Sequence, residues 1–261
     1  MRRLLVIASS QRTGSNLLCR ALTATGQAGV PTEYLDPIRG FIEWRSRANL
    51  PQPTLRGRAG MAKRRVFGDP GWQMCYRWNQ RSLERYLDWI TQRRTTPNGV
   101  FAIKVHGQAF HDWTVHRHLD LARWRAPVSW VHLQREDRLA QAVSFAIALQ
   151  TKQWTSSQRS LGSPVYDAAL VDSALVSMQR SEDRWLRYFA EQGLQPLELT
   201  YERLVGDYES SVRAVLDLLG VEVESVPPPR LARQATGVND EWIARFIEDC
   251  PDRAAAARGG R

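Results

Sequence analysis

The feature that most limits what this chain can fold into is an unbroken apolar run, Leu4, Leu5, Val6, Ile7 and Ala8, that ends in a polar turn and passes into a helical pattern. Continuous rather than alternating hydrophobicity suits a strand buried on both faces, as in a parallel sheet. Beyond the turn SSQRTGSN (9–16), Leu17, Leu18, Ala21 and Leu22 recur at helical spacing, and Gly26 stands where a left-handed cap is expected. The turn therefore joins strand to helix. There the first backbone N–H groups have no carbonyl partner and face outward with the positive end of the macrodipole, which suits a phosphate or sulfate. Gly14 permits close backbone approach, Thr13, Ser15 and Asn16 add neutral donors, and Arg12 adds a permanent charge. Taken alone, the turn is equally a capped helix with Ser15 or Asn16 as N-cap. A Walker A loop needs GxxxxGK followed by Ser or Thr. The first glycine and the lysine are both missing here, which disfavours an ordinary ATP or GTP site.

The same rhythm recurs. VFAIKV (100–105), VSWVHLQ (128–134) and LELTY (197–201) read as strands. Helical periodicity covers 82–93, 137–154, a long stretch ending near Gln192, 208–219 and 239–249. This alternation predicts a three-layer α/β fold with a central parallel sheet and a P-loop-like turn. The length of 261 residues suits a single domain over 1–250. Residues 36–80, where prolines and glycines mix with arginines and tryptophans, read as an irregular insertion or substrate lid. Residues 251–261 read as a frayed basic tail.

Three widely spaced cysteines, Cys19, Cys75 and Cys250, form no CxxC pair, so no structural metal and a reducing compartment are expected. No run reaches membrane-spanning length, and the apolar part of MRRLLVIASS is shorter than a typical secretory signal core. A cytoplasmic protein without an integral membrane segment is the expectation. With 36 Lys and Arg against 27 Asp and Glu, the formal net charge of +9 asks for an anionic partner. The basic residues are scattered, without a zinc-finger or RRM signature, so no nucleic-acid partner is expected.

VHLQREDRLAQAVSFAIALQTKQW (131–154) places Arg135 just beyond a strand and Ser144 on the helix that follows. That is a second strand-to-helix anion site, with a charged fork and a hydroxyl. By itself Arg135 reads as a surface partner of Glu136 or Asp137. Two such sites in one sheet suit a ligand with two anionic groups.

Together these segments resemble the sulfotransferases that use 3'-phosphoadenosine 5'-phosphosulfate (PAPS), most closely the bacterial trehalose 2-sulfotransferase family. The resemblance spans nearly the whole chain through SSQRTGSNLL, AGVPTEYL (28–35), TPNGVFAIK (96–104), QAVSFAIALQTKQW (141–154) and RQATGVNDEW (233–242). It implies that Arg12, Thr13, Gly14, Ser15 and Asn16 cradle the 5'-phosphosulfate, and that Arg135 and Ser144 hold the 3'-phosphate. It also implies PAPS as cosubstrate without a metal, a carbohydrate acceptor such as trehalose or a glycolipid sugar, and a homodimer. The family's general base is a glutamate in the segment that aligns with PTEYL, here Glu33. AIKVH (102–106) resembles the KTH motif of cytosolic sulfotransferases, in which lysine aids the leaving group and histidine is the base, so Lys104 and His106 join the catalytic candidates. Arg135 and Ser144 stand one residue further apart than in those enzymes.

The chemistry explains such residues. A sugar hydroxyl is a poor nucleophile near neutral pH, and a carboxylate or imidazole that takes its proton contributes about a hundredfold to ten-thousandfold. Charge on the bridging phosphate oxygen calls for cations and loop N–H groups. Acceptor contacts are expected from residues 29–78 and from Thr151 to Trp154, where Trp44, Trp72, Trp78 and Trp154 offer faces for sugar rings. Two other readings compete: a kinase-like phosphotransferase, and a non-catalytic basic protein that binds nucleic acid or a membrane surface.

Overall fold

A computed structural model describes residues 1–35, 80–116, 118–155, 158–229 and 237–259. The expected insertion, with Trp44, Trp72 and Trp78, falls outside the described residues except at its last position. The strands are β1 (Arg3–Ser9), β2 (Val100–His106), β3 (Val128–Gln134) and β4 (Leu197–Thr200), all parallel and ordered β2-β1-β3-β4. The helices are α1 (Ser15–Thr25), α2 (Gln80–Arg94), α3 (Gly107–His116), α4 (Arg138–Thr151), α5 (Ala168–Glu191), α6 (Tyr201–Gly206), α7 (Tyr208–Leu218), α8 (Gly237–Asp249) and α9 (Pro251–Gly259).

The apolar run of β1 is unbroken because both faces of the sheet are covered. Leu4, Val6 and Ala8 pack with Phe101, Ile103, Val105, Trp130 and Trp185 on one face. Leu5 and Ile7 pack with Leu18, Leu22, Leu133, Val212 and Val215 on the other. Burying each of the larger side chains contributes about 1.5–3 kcal/mol, so a polar residue anywhere along β1 would be felt. This is the expected three-layer α/β architecture. A third apolar cluster joins α4 to α5, α8 and α9 through Ala142, Val143, Ala146, Met178, Trp242, Phe246 and Ala254, and it anchors α4 beside the carboxyl end of the sheet.

Two segments differ from the sequence reading. Helix α3, unanticipated, starts directly at the end of β2, where Gly107 lies so close to the Ser181 carbonyl of α5 that a β-carbon would clash with it. The tail read as frayed is helix α9. Its alanine run has the strongest helix propensity, Pro251 suits a first helical position, Asp252 complements the dipole, and Ala254 is buried in the third cluster. Within β3, His132 is fully buried between Glu182 and Glu198. Burial opposes its charge, but the two carboxylates outweigh burial and push its pKa up to about 9.

Candidate active site

Strand β1 has β2 on one side and β3 on the other, so the strand order reverses about it. The carboxyl ends of β1 and β3 therefore open a crevice of the kind that binds ligands in α/β sheets. Register brings Ser9 level with His106 and Leu133, so the segments following β1, β2 and β3 meet there.

The turn after β1 is held from within and from α4. Arg12 and Gly14 have φ of 64° and 77°, in the left-handed region, and a β-carbon on Gly14 would stand 2.6 Å from the Tyr201 ring. The Gly14 carbonyl accepts the first α1 bond from Leu17 N–H at 2.8 Å. Gly14 is thus the N-cap, in place of Ser15 or Asn16. Helix α1 has no side-chain cap and no acidic residue in its first turn. Thr13 is fully buried and donates its hydroxyl to the Ser10 carbonyl at 3.1 Å, which makes it a brace of the turn. Gln141 donates its amide to Ser10 Oγ at 2.8 Å and to the Gln11 carbonyl at 2.6 Å.

On one flank, Arg12 Nε donates to Ser144 Oγ at 2.9 Å and Nη1 to the Trp154 carbonyl at 2.8 Å. Arg135 Nη1 donates to the Arg12 carbonyl at 3.4 Å, and its guanidinium lies over the Tyr201 ring, 4.6 Å from the centroid. Burial and then the charge of Arg135 lower the pKa of Arg12, which marks two crowded cations. Ser144, expected with Arg135 at a 3'-phosphate, accepts here from Arg12 and so stands on the same flank as both guanidiniums. The second strand-to-helix turn is also not an open anion site. Glu202 accepts from the N–H groups of Glu136 at 3.0 Å and Asp137 at 3.3 Å, and Asp137 caps α4 through Ala140 N–H at 2.9 Å. Two carboxylates occupy the donors that a phosphate would use, leaving positive charge to the side chains of Arg12 and Arg135.

On the other flank, Lys104 is 3% exposed at its side chain, donates to Asn16 Oδ1 at 2.9 Å and is ion-paired with Glu33. His106 Nε2 lies 3.4 Å from Glu33 Oε1, and its Nδ1 faces the hydroxyl and carbonyl of Ser9 at 3.2 and 3.3 Å. Burial drives the Glu33 carboxyl upward, but Lys104 and His106 together hold it well below the usual carboxylate range. The two candidate bases of the sequence are therefore one contiguous cluster.

A family model for the Stf0 sulphotransferases matches residues 4–249. The chain belongs to the Stf0 sulphotransferase family. It is 28% identical over 272 residues to a trehalose 2-sulfotransferase from Mycobacterium tuberculosis, covering 94% of this chain and 95% of that protein. A trehalose 2-sulfotransferase from Mycolicibacterium smegmatis is likewise 28% identical over 276 residues, covering 94% of each. A crystal structure of a sulfotransferase from Alicyclobacillus acidocaldarius aligns with a TM-score of 0.48 at 16% identity, covering 100% of this chain and 97% of that one.

Among the described residues of this sulfotransferase-family chain, no His, Cys, Asp and Glu side chains group in a way that could hold a metal ion. No helix among them is long and apolar enough to cross a membrane. Tyr201, Glu202 and Gln141 escaped the sequence reading. The available signal was position alone, since Tyr201 and Glu202 directly follow a strand just as Arg135 does.

Proposed function

We propose that the chain is a PAPS-dependent sulfotransferase that moves the sulfuryl group to a carbohydrate hydroxyl, of trehalose or of a glycolipid sugar. The observation that carries this is the pairing, across one turn, of two crowded guanidiniums with a buried lysine and carboxylate. The residues fit such a cosubstrate. The start of α1 carries no carboxylate and no side-chain cap, and Arg12, Arg135 and Ser144 lie together beside the turn. The names of the mycobacterial relatives support a sugar acceptor.

In this reading Arg12 and the N–H groups of Gly14, Ser15 and Asn16 hold the 5' end, with Thr13 bracing the turn, while Arg135 and Ser144 hold the 3'-phosphate. When bound, PAPS supplies an activated sulfuryl group. Glu33 takes the proton of the acceptor hydroxyl as the oxygen–sulfur bond forms, and the electron pair of the breaking bond stays on the phosphate oxygen, where Lys104 meets the charge. His106 steadies Glu33.

Thermal shift tests the cosubstrate: adenosine 3',5'-bisphosphate (PAP) should raise the melting temperature well above the effect of ATP or GTP. Equal shifts with PAP and ATP would favour a phosphotransferase. Binding to DNA or anionic vesicles without binding PAP would favour the non-catalytic reading. A screen of sugars with labelled PAPS then names the acceptor.

A further inference from the structure

We propose that Lys104 is a switch: it keeps the Glu33 carboxylate engaged until an anion binds the turn after β1, and cosubstrate binding then draws the ammonium away and frees Glu33 to accept the proton. This rests on the PAPS reading above and adds to it a coupling between the two halves of the site.

The geometry is that of a cation shared between two places. The Lys104 ammonium donates to Asn16 Oδ1 in the first turn of α1 at 2.9 Å and is at the same time ion-paired with Glu33. With its side chain 3% exposed, it has little water to fall back on, so its charge needs an anionic neighbour. A bound phosphate carries more charge than one carboxylate and would sit at the positive end of α1, beside the Asn16 contact. Moving between the two asks only for a change of rotamer in a flexible four-carbon chain.

The consequence falls on Glu33. Among the described residues, the titratable groups that face it are Lys104, His106 and Cys19. The Cys19 thiol is buried, and burial, against Lys104 and with Glu33, raises its pKa to about 12, so it stays neutral. While Lys104 is paired with Glu33, the carboxylate is a weak base, poorly suited to take a proton from a hydroxyl. Once Lys104 turns to the cosubstrate, burial is opposed, among the described residues, by His106 and the carboxylate becomes more basic. The base is thus armed only in the complex that has a sulfuryl group to give.

Calorimetric titration of the full chain with PAP, at about pH 6 in buffers of different ionisation enthalpy, reads the protons taken up on binding. The wild type should take up more protons than Glu33→Gln. Lys104→Gln should bind PAP more weakly, and its uptake should fall to that of Glu33→Gln because the carboxylate no longer changes partner. His106→Asn should keep the wild-type excess. An infrared difference spectrum of the wild type on PAP binding, in which a protonated carboxyl band should grow, gives the same answer without a variant. PAP binding with equal uptake in wild type and Glu33→Gln, or without that band, would overturn the switch and leave the PAPS reading standing. Failure of the wild type to bind PAP at all would overturn both.

Discussion

The two strand-to-helix turns of the crevice share a local pattern and reach opposite states. After β1, Gly14 caps α1 without a side chain, no acidic residue stands in the first turn, and the described charged groups that meet the turn are Arg12, Arg135 and Lys104. After β3, the corresponding N–H groups are taken by Asp137 and by Glu202, which arrives from α6. A helix start is an anion site only while its donors are unspent, and a carboxylate of the chain spends them as well as a ligand would. In the proposed function the first turn binds the anion, and the second, capped by the chain itself, carries Arg135 and, through α4, Ser144.

If that division is right, the largest effect belongs beside the open turn. Glu33→Gln should lower turnover about a hundredfold or more, with PAP affinity nearly intact. Steady-state kinetics with PAP titration checks it. Wild-type turnover in Glu33→Gln beside an inactive His106→Asn would move the base to His106.

The arginines sharpen the contrast. Arg135→Ala should weaken PAP binding about tenfold to a hundredfold, the worth of a charged hydrogen bond, with little loss of turnover once saturated. Arg12→Ala should lower affinity and turnover together, because it reaches both the open turn and Ser144. Unchanged PAP affinity in Arg135→Ala would count against this division.

A smaller effect is expected at Gly14. Gly14→Ala forces a side chain into a left-handed backbone and against the Tyr201 ring, costing about 1–2 kcal/mol for the backbone alone. Denaturant unfolding should register the loss. Adding Tyr201→Ala should relieve the clash and leave the backbone cost.

The smallest effect tests the closed turn. Glu202→Gln keeps an oxygen acceptor for α4 and removes a negative charge from beside Arg135, 3.9 Å from its Nε. PAP affinity should rise by about 0.3–1 kcal/mol, roughly twofold to fivefold. A tenfold loss would mean that the carboxylate positions Arg135 rather than competing with its ligand.

The sequence by itself determined the layers and the turn. An apolar run such as Leu4 to Ala8 has no stable place except between two covered faces. Alternation with 3.6-residue periodicity then orders strands and helices, because both signals are local and repeat along the chain. Its resemblance to a known family also singled out Arg12, Glu33, Lys104, His106, Arg135 and Ser144 as candidates. Only the tertiary structure decided which of these touch. Whether Ser144 serves Arg12 or Arg135, whether Glu33 and His106 are rivals or one cluster, and whether a helix start is open all depend on residues far away in sequence. Glu202 lies 66 residues from the N–H it caps, and Trp154 lies 142 residues from the guanidinium it receives. Such pairings carry no periodicity. The same holds for α9, where alanines offered helix propensity but its packing against α4 and α8, with Ala254 buried in the third cluster, came from the tertiary structure.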